Sequence, residues 1–310
     1  MSFTSIAVII PYFGKLPKYF PYFVESALKN EFIDFILITD DENAIRFNKG
    51  NIVVYHQSVA QFNELASAKL NHFFVLPHGY KLCDLKPMYG KIYEDYITLY
   101  SFWGFSDLDI VFGNLRQILT EELLASHDII SFYELFISGP FCLFRNEEEV
   151  NTLFMKSKDY TFVLGEKEYC CFDEFGDMET FRQLCDGTPL LDTTTYIETF
   201  SHVVFNPQKS NKRLYARKWI TDGEIKKEVI RYHNGHLYFD DTREIYLYHY
   251  MWYKGNIAYN IPRYIQGKEF TITKNGFFYE GIKSRTVDWW MCISNNFFSK
   301  VKKKIKRLSF

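Results

Sequence analysis

Ile6 to Ile10 form an unbroken apolar run that stops at Pro11, where the loop Pro11-Tyr12-Phe13-Gly14 follows. A continuous, β-branched run of this kind predicts a strand buried on both faces, as in a parallel sheet. Phe20 to Lys29 reads as a helix and Phe32 to Thr39 as a second strand ending at Asp40-Asp41. Asn51 to Tyr55 reads as a third, short strand, and helices are expected over Val59–Ala68 and Met88–Leu99. This alternation predicts βαβ units, hence an α/β fold around a central mixed, mostly parallel sheet. From Phe102 to Leu115 apolar and polar residues change places between glycines. Further strands are expected at Asp128–Phe132, Pro140–Phe144 and Glu244–Tyr250, and a helix at Glu147–Lys156, opened by acids as the helix dipole favours. No repeat or low-complexity linker appears, so we expect one domain over residues 1–290 and a tail over 291–310.

Composition narrows the class without naming a ligand. The 310 residues are 47% hydrophobic and 24% charged, the balance of an ordinary globular chain, which excludes a disordered, collagen-like or disulfide-scaffold protein. No stretch approaches the roughly 20 apolar residues of a membrane-spanning helix. Met1-Ser2-Phe3-Thr4-Ser5 carries no Lys or Arg, which argues against a secretory signal and sets the expectation of a cytoplasmic protein. Cys83, Cys142, Cys170, Cys171, Cys185 and Cys292 show no C-x-x-C pair and read as small apolar residues. Carbohydrate sites use aromatic faces, and 19% of the chain is aromatic, but most of those rings must be core.

The net charge of −2 conceals a basic end. Lys300, Lys302, Lys303, Lys304, Lys306 and Arg307 leave residues 1–299 with 30 cations against 38 acids, a balance of −8. Phe297, Val301, Ile305 and Leu308 fall on one helical face, so the tail reads as a basic amphipathic helix. Such a helix suits an anionic membrane surface, each cation near the lipid contributing about 1 kcal/mol. That places the protein peripherally on the inner face of the cytoplasmic membrane; a solvated tail without a role is the plainer reading. The acidic remainder argues against nucleic acid as a partner.

The chemistry concentrates at Asp107-Leu108-Asp109. Two carboxylates at i and i+2 can face one divalent cation, and Mg²⁺ or Mn²⁺ prefers oxygen ligands shared with water and phosphate. With 17 Asp in the chain about one D-x-D arises by chance, so the motif depends on its context. That context is aromatic and glycine-bounded, and burying two carboxylates without a cation costs several kcal/mol. Phe172-Asp173-Glu174-Phe175 is a second acid pair. A partly buried carboxylate has its pKa raised and can act as a general base, while Asp173 capping a helix that Glu174 then favours is the structural alternative.

The upstream run Lys81-Leu82-Cys83-Asp84-Leu85-Lys86-Pro87, followed by Trp103-Gly104-Phe105-Ser106-Asp107-Leu108-Asp109-Ile110-Val111-Phe112-Gly113, carries a family pattern. Residues Lys81 to Leu115 resemble the donor-binding region of GT-A glycosyltransferases, in particular bacterial glycosyltransferases of surface-polysaccharide (capsule, lipopolysaccharide, O-antigen) gene clusters. More distantly they resemble mannosyltransferase-like and glycogenin-like enzymes.

The resemblance implies a Rossmann-like GT-A domain and transfer of a sugar from a nucleotide-diphosphate sugar, UDP favoured, to a hydroxyl of a glycan or lipid-linked acceptor. It implies that Asp107 and Asp109 hold Mn²⁺ or Mg²⁺, with Asp107 also reaching the donor. It places Asp84 and Lys86 at the donor sugar and phosphate, and the nucleoside at Pro11, Tyr12 and Phe13, with Asp40 or Asp41 near the base. It makes His249 the third metal ligand, against a core histidine, and sets Lys254 against the diphosphate. Gly139 falls in a small-residue turn, Ser138-Gly139-Pro140, that shapes the sugar pocket in such enzymes or is a plain loop here. The acid pair Asp173 and Glu174 falls where inverting members carry a base. Two other classes stay open: a non-catalytic carbohydrate-binding or scaffold protein, and a metal-dependent nucleotidyl- or phosphotransferase, for which no G-x-x-x-x-G-K-[ST] loop is present.

Overall fold

A computed structural model describes residues 4–222, 228–251, 259–263 and 269–279. Lys254, Cys292 and the basic tail lie outside the described residues. In chain order come β1 (Ile6–Pro11), β2 (Ile33–Thr39), β3 (Ile52–His56), β4 (Phe102–Ser106), β5 (Ile110–Phe112), β6 (Ile129–Ser131), β7 (Phe141–Arg145) and β8 (Leu214–Ala216). Then follow β9 (Ile220–Thr221), β10 (Ile230–His233), β11 (His236–Phe239), β12 (Arg243–Ile245), β13 (Leu247–His249), β14 (Phe270–Thr273) and β15 (Gly276–Tyr279). The chain forms two compact units. The first takes the residues up to Leu16, Glu31–Asp107 and Leu119–Trp219; the second takes Pro17–Asn30, Leu108–Ile118 and the chain from Ile220 onward.

The first unit is built on a seven-stranded sheet of order β3-β2-β1-β4-β7-β6-β8. β1 runs parallel to β2 and to β4, β2 to β3 and β6 to β8, while β7 is antiparallel to β4 and β6. The sheet is therefore mixed and mostly parallel, as the strand pattern predicts. All six residues of β1 are buried, which is why its apolar run is unbroken rather than alternating. The helix Val59–Leu70 opens with a reciprocal Ser58–Gln61 capping box, runs two residues beyond the predicted end at Ala68 and closes at Asn71 in the left-handed region. Trp103 is fully buried, donating its indole N–H to Asn151 at 2.6 Å, and a Cβ on Gly90 would stand 2.3 Å from its ring.

The second unit holds a five-stranded antiparallel sheet, β12-β11-β10-β14-β15, and a three-stranded sheet, β5-β13-β9. Tyr22, on the helix Phe20–Leu28, packs its ring 5.0 Å from that of Phe270 and 4.4 Å from that of Phe277. Asn234 and Gly235, both at positive φ, make the turn between β10 and β11, the backbone that an Asn-Gly hairpin requires. Asn30 donates to the carbonyl of Gly113 and accepts from the N–H of Leu115, fixing the chain just after β5.

Three expectations are corrected. The helix expected at Met88–Leu99 is instead a single α-turn Tyr89–Ile92 and a 3₁₀ turn Glu94–Tyr96, and a 3₁₀ run Gly79–Met88 precedes them. Period-three winding stacks residues i and i+3, and the ion pair Lys81–Asp84 uses that alignment. The helix expected at Glu147–Lys156 breaks into Glu148–Asn151 and a 3₁₀ turn Leu153–Lys156. The strand expected at Glu244–Tyr250 splits at Tyr246 into β12 and β13, which join different sheets. No helix among the described residues is long and apolar enough to cross a membrane.

Candidate metal and acid-pair site

The sheet of the first unit changes winding direction at β1, because β2 and β3 lie to one side of it and β4 to the other. Open α/β sheets bind ligands at the carboxyl ends of strands at such a point. Ile9 pairs with Phe105, so Pro11-Tyr12 and Ser106-Asp107 leave neighbouring strands at the same end. Tyr12 donates its N–H to the carbonyl of Ile38, and Phe13 packs 5.2 Å from Phe62. Asp40 accepts from the N–H of Gly14 at 2.6 Å, and Asp41 accepts from Leu16 and Asn43. The Leu16 N–H, more than any other group, holds the Asp41 carboxyl below its ordinary pKa. These two acids shape the β1 loop through its backbone.

Lys86 is the hub of the acid cluster. Its side chain is 7% exposed, and its ammonium donates to the carbonyl of Gly139 at 2.8 Å. It also meets Asp107 at 2.8 Å and Asp173 at 3.4 Å. Burial opposes its charge, but the surrounding anions, Asp107 foremost, outweigh that and keep it protonated. Asp107 donates its own N–H to the carbonyl of Pro140, next to Gly139. Glu174 accepts the N–H of Gly139 at 3.2 Å, and a Cβ on Gly139 would stand 2.7 Å from that carboxyl group. Gly139 is thus required by the close approach of an acid.

Asp173 is 1% exposed and accepts the hydroxyl of Tyr169 at 2.9 Å. Asp107 and Asp173 share one cation, with Glu174 held against the neighbouring Gly139, and burial penalises each extra negative charge. Burial, helped by the charges of Asp84 and Asp107, pushes Asp173 up to about 7. Burial and then the charge of Asp173 push Glu174 up to about 8. The helix that follows, Met178–Cys185, is capped by Asp177, not by Asp173. Asp84 is fully buried, with Lys81 at 2.8 Å and the N–H groups of Cys170 and Phe172 at 2.9 and 2.8 Å. It pins the two backbone positions that lead into Asp173.

The D-x-D segment is the link by which the chain leaves β4 and enters β5. In the second unit β13 lies antiparallel to β5 with His249 opposite Ile110, one residue from Asp109. The imidazole Nε2 comes 3.3 Å from the carboxylate of Asp109, and both side chains are at most 5% exposed. The carbonyl of Asp109 also accepts the N–H of Tyr250. Asp107, Asp109 and His249 each offer a ligand atom, and these atoms lie within 4.8 Å of one another. Two carboxylates and an imidazole on an ordered backbone are a donor set that fits Mn²⁺ or another divalent ion.

Two contributors were not read from the sequence. Tyr169 had no signal beyond its place four residues before Asp173. Asp222 follows the two-residue strand β9, too short to stand out as a pattern, and its carboxyl is raised by burial and lowered in part by His249.

A crystal structure of mouse xyloside xylosyltransferase 1, in its apo form, aligns over 71% of this chain and 87% of its own, with a TM-score of 0.38 and 10% sequence identity. No curated protein matches the sequence. A family of unknown function, DUF6625, matches residues 8–280, and the chain belongs to that family.

Proposed function

We propose that this protein is a metal-dependent glycosyltransferase, moving a sugar from a nucleotide-diphosphate sugar, UDP favoured, to a hydroxyl of a glycan or lipid-linked acceptor in surface-polysaccharide synthesis. The observation that carries the reading is the convergence of Asp107, Asp109 and His249, next to a buried acid pair. Asp107, Asp109 and His249 would hold a divalent ion, which would supply positive charge opposite a leaving diphosphate. Lys86 adds a fixed cation whose protonation is secured by its acidic neighbours. The raised pKa of Asp173 brings a carboxylate near neutrality, where a general base for an acceptor hydroxyl works best. Pro11, Tyr12 and Phe13 are assigned to the nucleoside, with Asp40 and Asp41 shaping its loop. Lys254 is assigned to the diphosphate, and the basic tail to the inner face of the cytoplasmic membrane.

The test is thermal unfolding of the full chain with UDP, GDP and CDP, each in Mn²⁺ and in EDTA, followed by donor turnover. A hundredfold excess of a nucleotide over its dissociation constant stabilises the native state by about 2.7 kcal/mol. We expect a Mn²⁺-dependent rise for one nucleotide, its disappearance in D109N, and release of the matching diphosphate from its sugar conjugate. Metal-independent binding, or release of pyrophosphate instead, would refute the reading.

A further inference from the structure

The three-stranded sheet of the second unit carries a residue toward the candidate metal centre that neither the D-x-D motif nor the late histidine announces. β9 runs parallel to β13, with Ile220 opposite Leu247 and Thr221 opposite Tyr248. Continued one residue past the last paired positions, that register would set Asp222 beside His249. Side chains alternate faces along both strands, so residues aligned in register share a face, and Asp222 would share that of His249. Asp222 is half-buried, a cost that a carboxylate bears when it has a partner. Its charge interacts with the His249 imidazole.

We propose that Asp222 is a positioning residue of the metal centre: its carboxylate accepts a hydrogen bond from the N–H of one ring nitrogen of His249, so that the other nitrogen, unprotonated, is presented to a divalent ion. A ligating histidine needs its second nitrogen held in this way, because the hydrogen bond fixes both tautomer and ring orientation. Nε2 faces Asp109 at 3.3 Å, so a hydrogen bond from the other ring nitrogen to Asp222 would leave Nε2 for the ion. The inference rests on the metal reading of Asp107, Asp109 and His249.

The test is Mn²⁺ titration of the full-length protein, followed by the loss of the free-ion paramagnetic resonance signal, without any sugar nucleotide. Wild type, D109N, D222N and D222A are compared, after melting curves in EDTA show which variants keep the native fold. Removing such a supporting carboxylate typically weakens metal binding 10–100-fold. We therefore expect D222N or D222A to bind Mn²⁺ at least tenfold more weakly than wild type while melting normally without metal. Wild-type affinity in a folded Asp222 variant, with affinity lost in D109N, overturns the Asp222 assignment alone. No Mn²⁺ binding by wild type, or equal affinity in D109N, removes the metal centre and this inference with it.

Discussion

Replacing Asp173 with Asn sets two opposing effects against each other. Asp173 stands 3.4 Å from the Lys86 ammonium, an attraction that favours its charged form, and is 1% exposed beside two other acids, which favours the neutral form. Burial is the larger effect, so the side chain keeps its proton up to about pH 7 instead of the ordinary 3.8. Ionising it in the native state then costs folding about 4 kcal/mol at most, and relaxation of the cluster reduces that to about 2–4 kcal/mol. The sign follows from proton binding. The native protein holds a proton on Asp173 that the unfolded chain has released, so the Asp173 contribution to stability falls as pH rises from about 4 to about 7 and is level above. Asn keeps the amide oxygen for the Tyr169 hydroxyl and cannot ionise. D173N should therefore match wild type near pH 4 and exceed it by about 2–4 kcal/mol at pH 8.5, a rise in Tm of about 3–6 °C. Thermal unfolding of both proteins in a series of buffers measures the difference. A variant less stable than wild type at pH 8.5 would show that the ion pair with Lys86 outweighs burial, and the assignment of a near-neutral base would fall with it.

Other expectations follow from the same physical arguments. Gly139→Ala places a methyl group against the Glu174 carboxyl, and we expect a loss of about 1–3 kcal/mol in chemical denaturation, relieved in the double variant with Glu174→Ala. Asp128 is 8% exposed and meets Arg145 at 2.9 Å and Arg213 at 2.7 Å. Burial works against it, but the Arg213 bonds hold its carboxyl well below the usual carboxylate range. Its contribution is complete above the ordinary 3.8 and is lost as pH falls below it; D128N should lose about 3–5 kcal/mol at pH 7 and progressively less in acid. Removing residues 297–310 should abolish co-sedimentation with vesicles rich in anionic lipid while leaving nucleotide binding intact; equal sedimentation of the truncated chain would reject the anchor.

The unbroken apolar run at Ile6–Ile10 announced a doubly buried strand because burial on both faces leaves no polar positions to alternate with. The same logic made β2 and the helix starting at Val59 legible, since burial period is a local property. The motif around Lys81, Asp107 and Asp109 was legible too, as residue types at fixed spacing. What spacing could not convey was partnership. Asp84 looked like a ligand contact, yet its carboxylate is taken up by Lys81 and two backbone N–H groups from residues 86 and 88 positions away. The helix expected from Met88 is broken into one α-turn and one 3₁₀ turn, a break that the apolar spacing did not announce. His249 stood out as a histidine on a late strand, but only the antiparallel pairing of β13 with β5 brings it to Asp109. Asp222 had no motif at all; a two-residue strand carries too little pattern to be read, and its place depends on a register set by hydrogen bonds across the sheet. Residue chemistry and local periodicity were thus set by the chain itself, whereas the charge states of Asp173 and Glu174 were decided by folding, because burial acts only once distant segments have excluded water from around them.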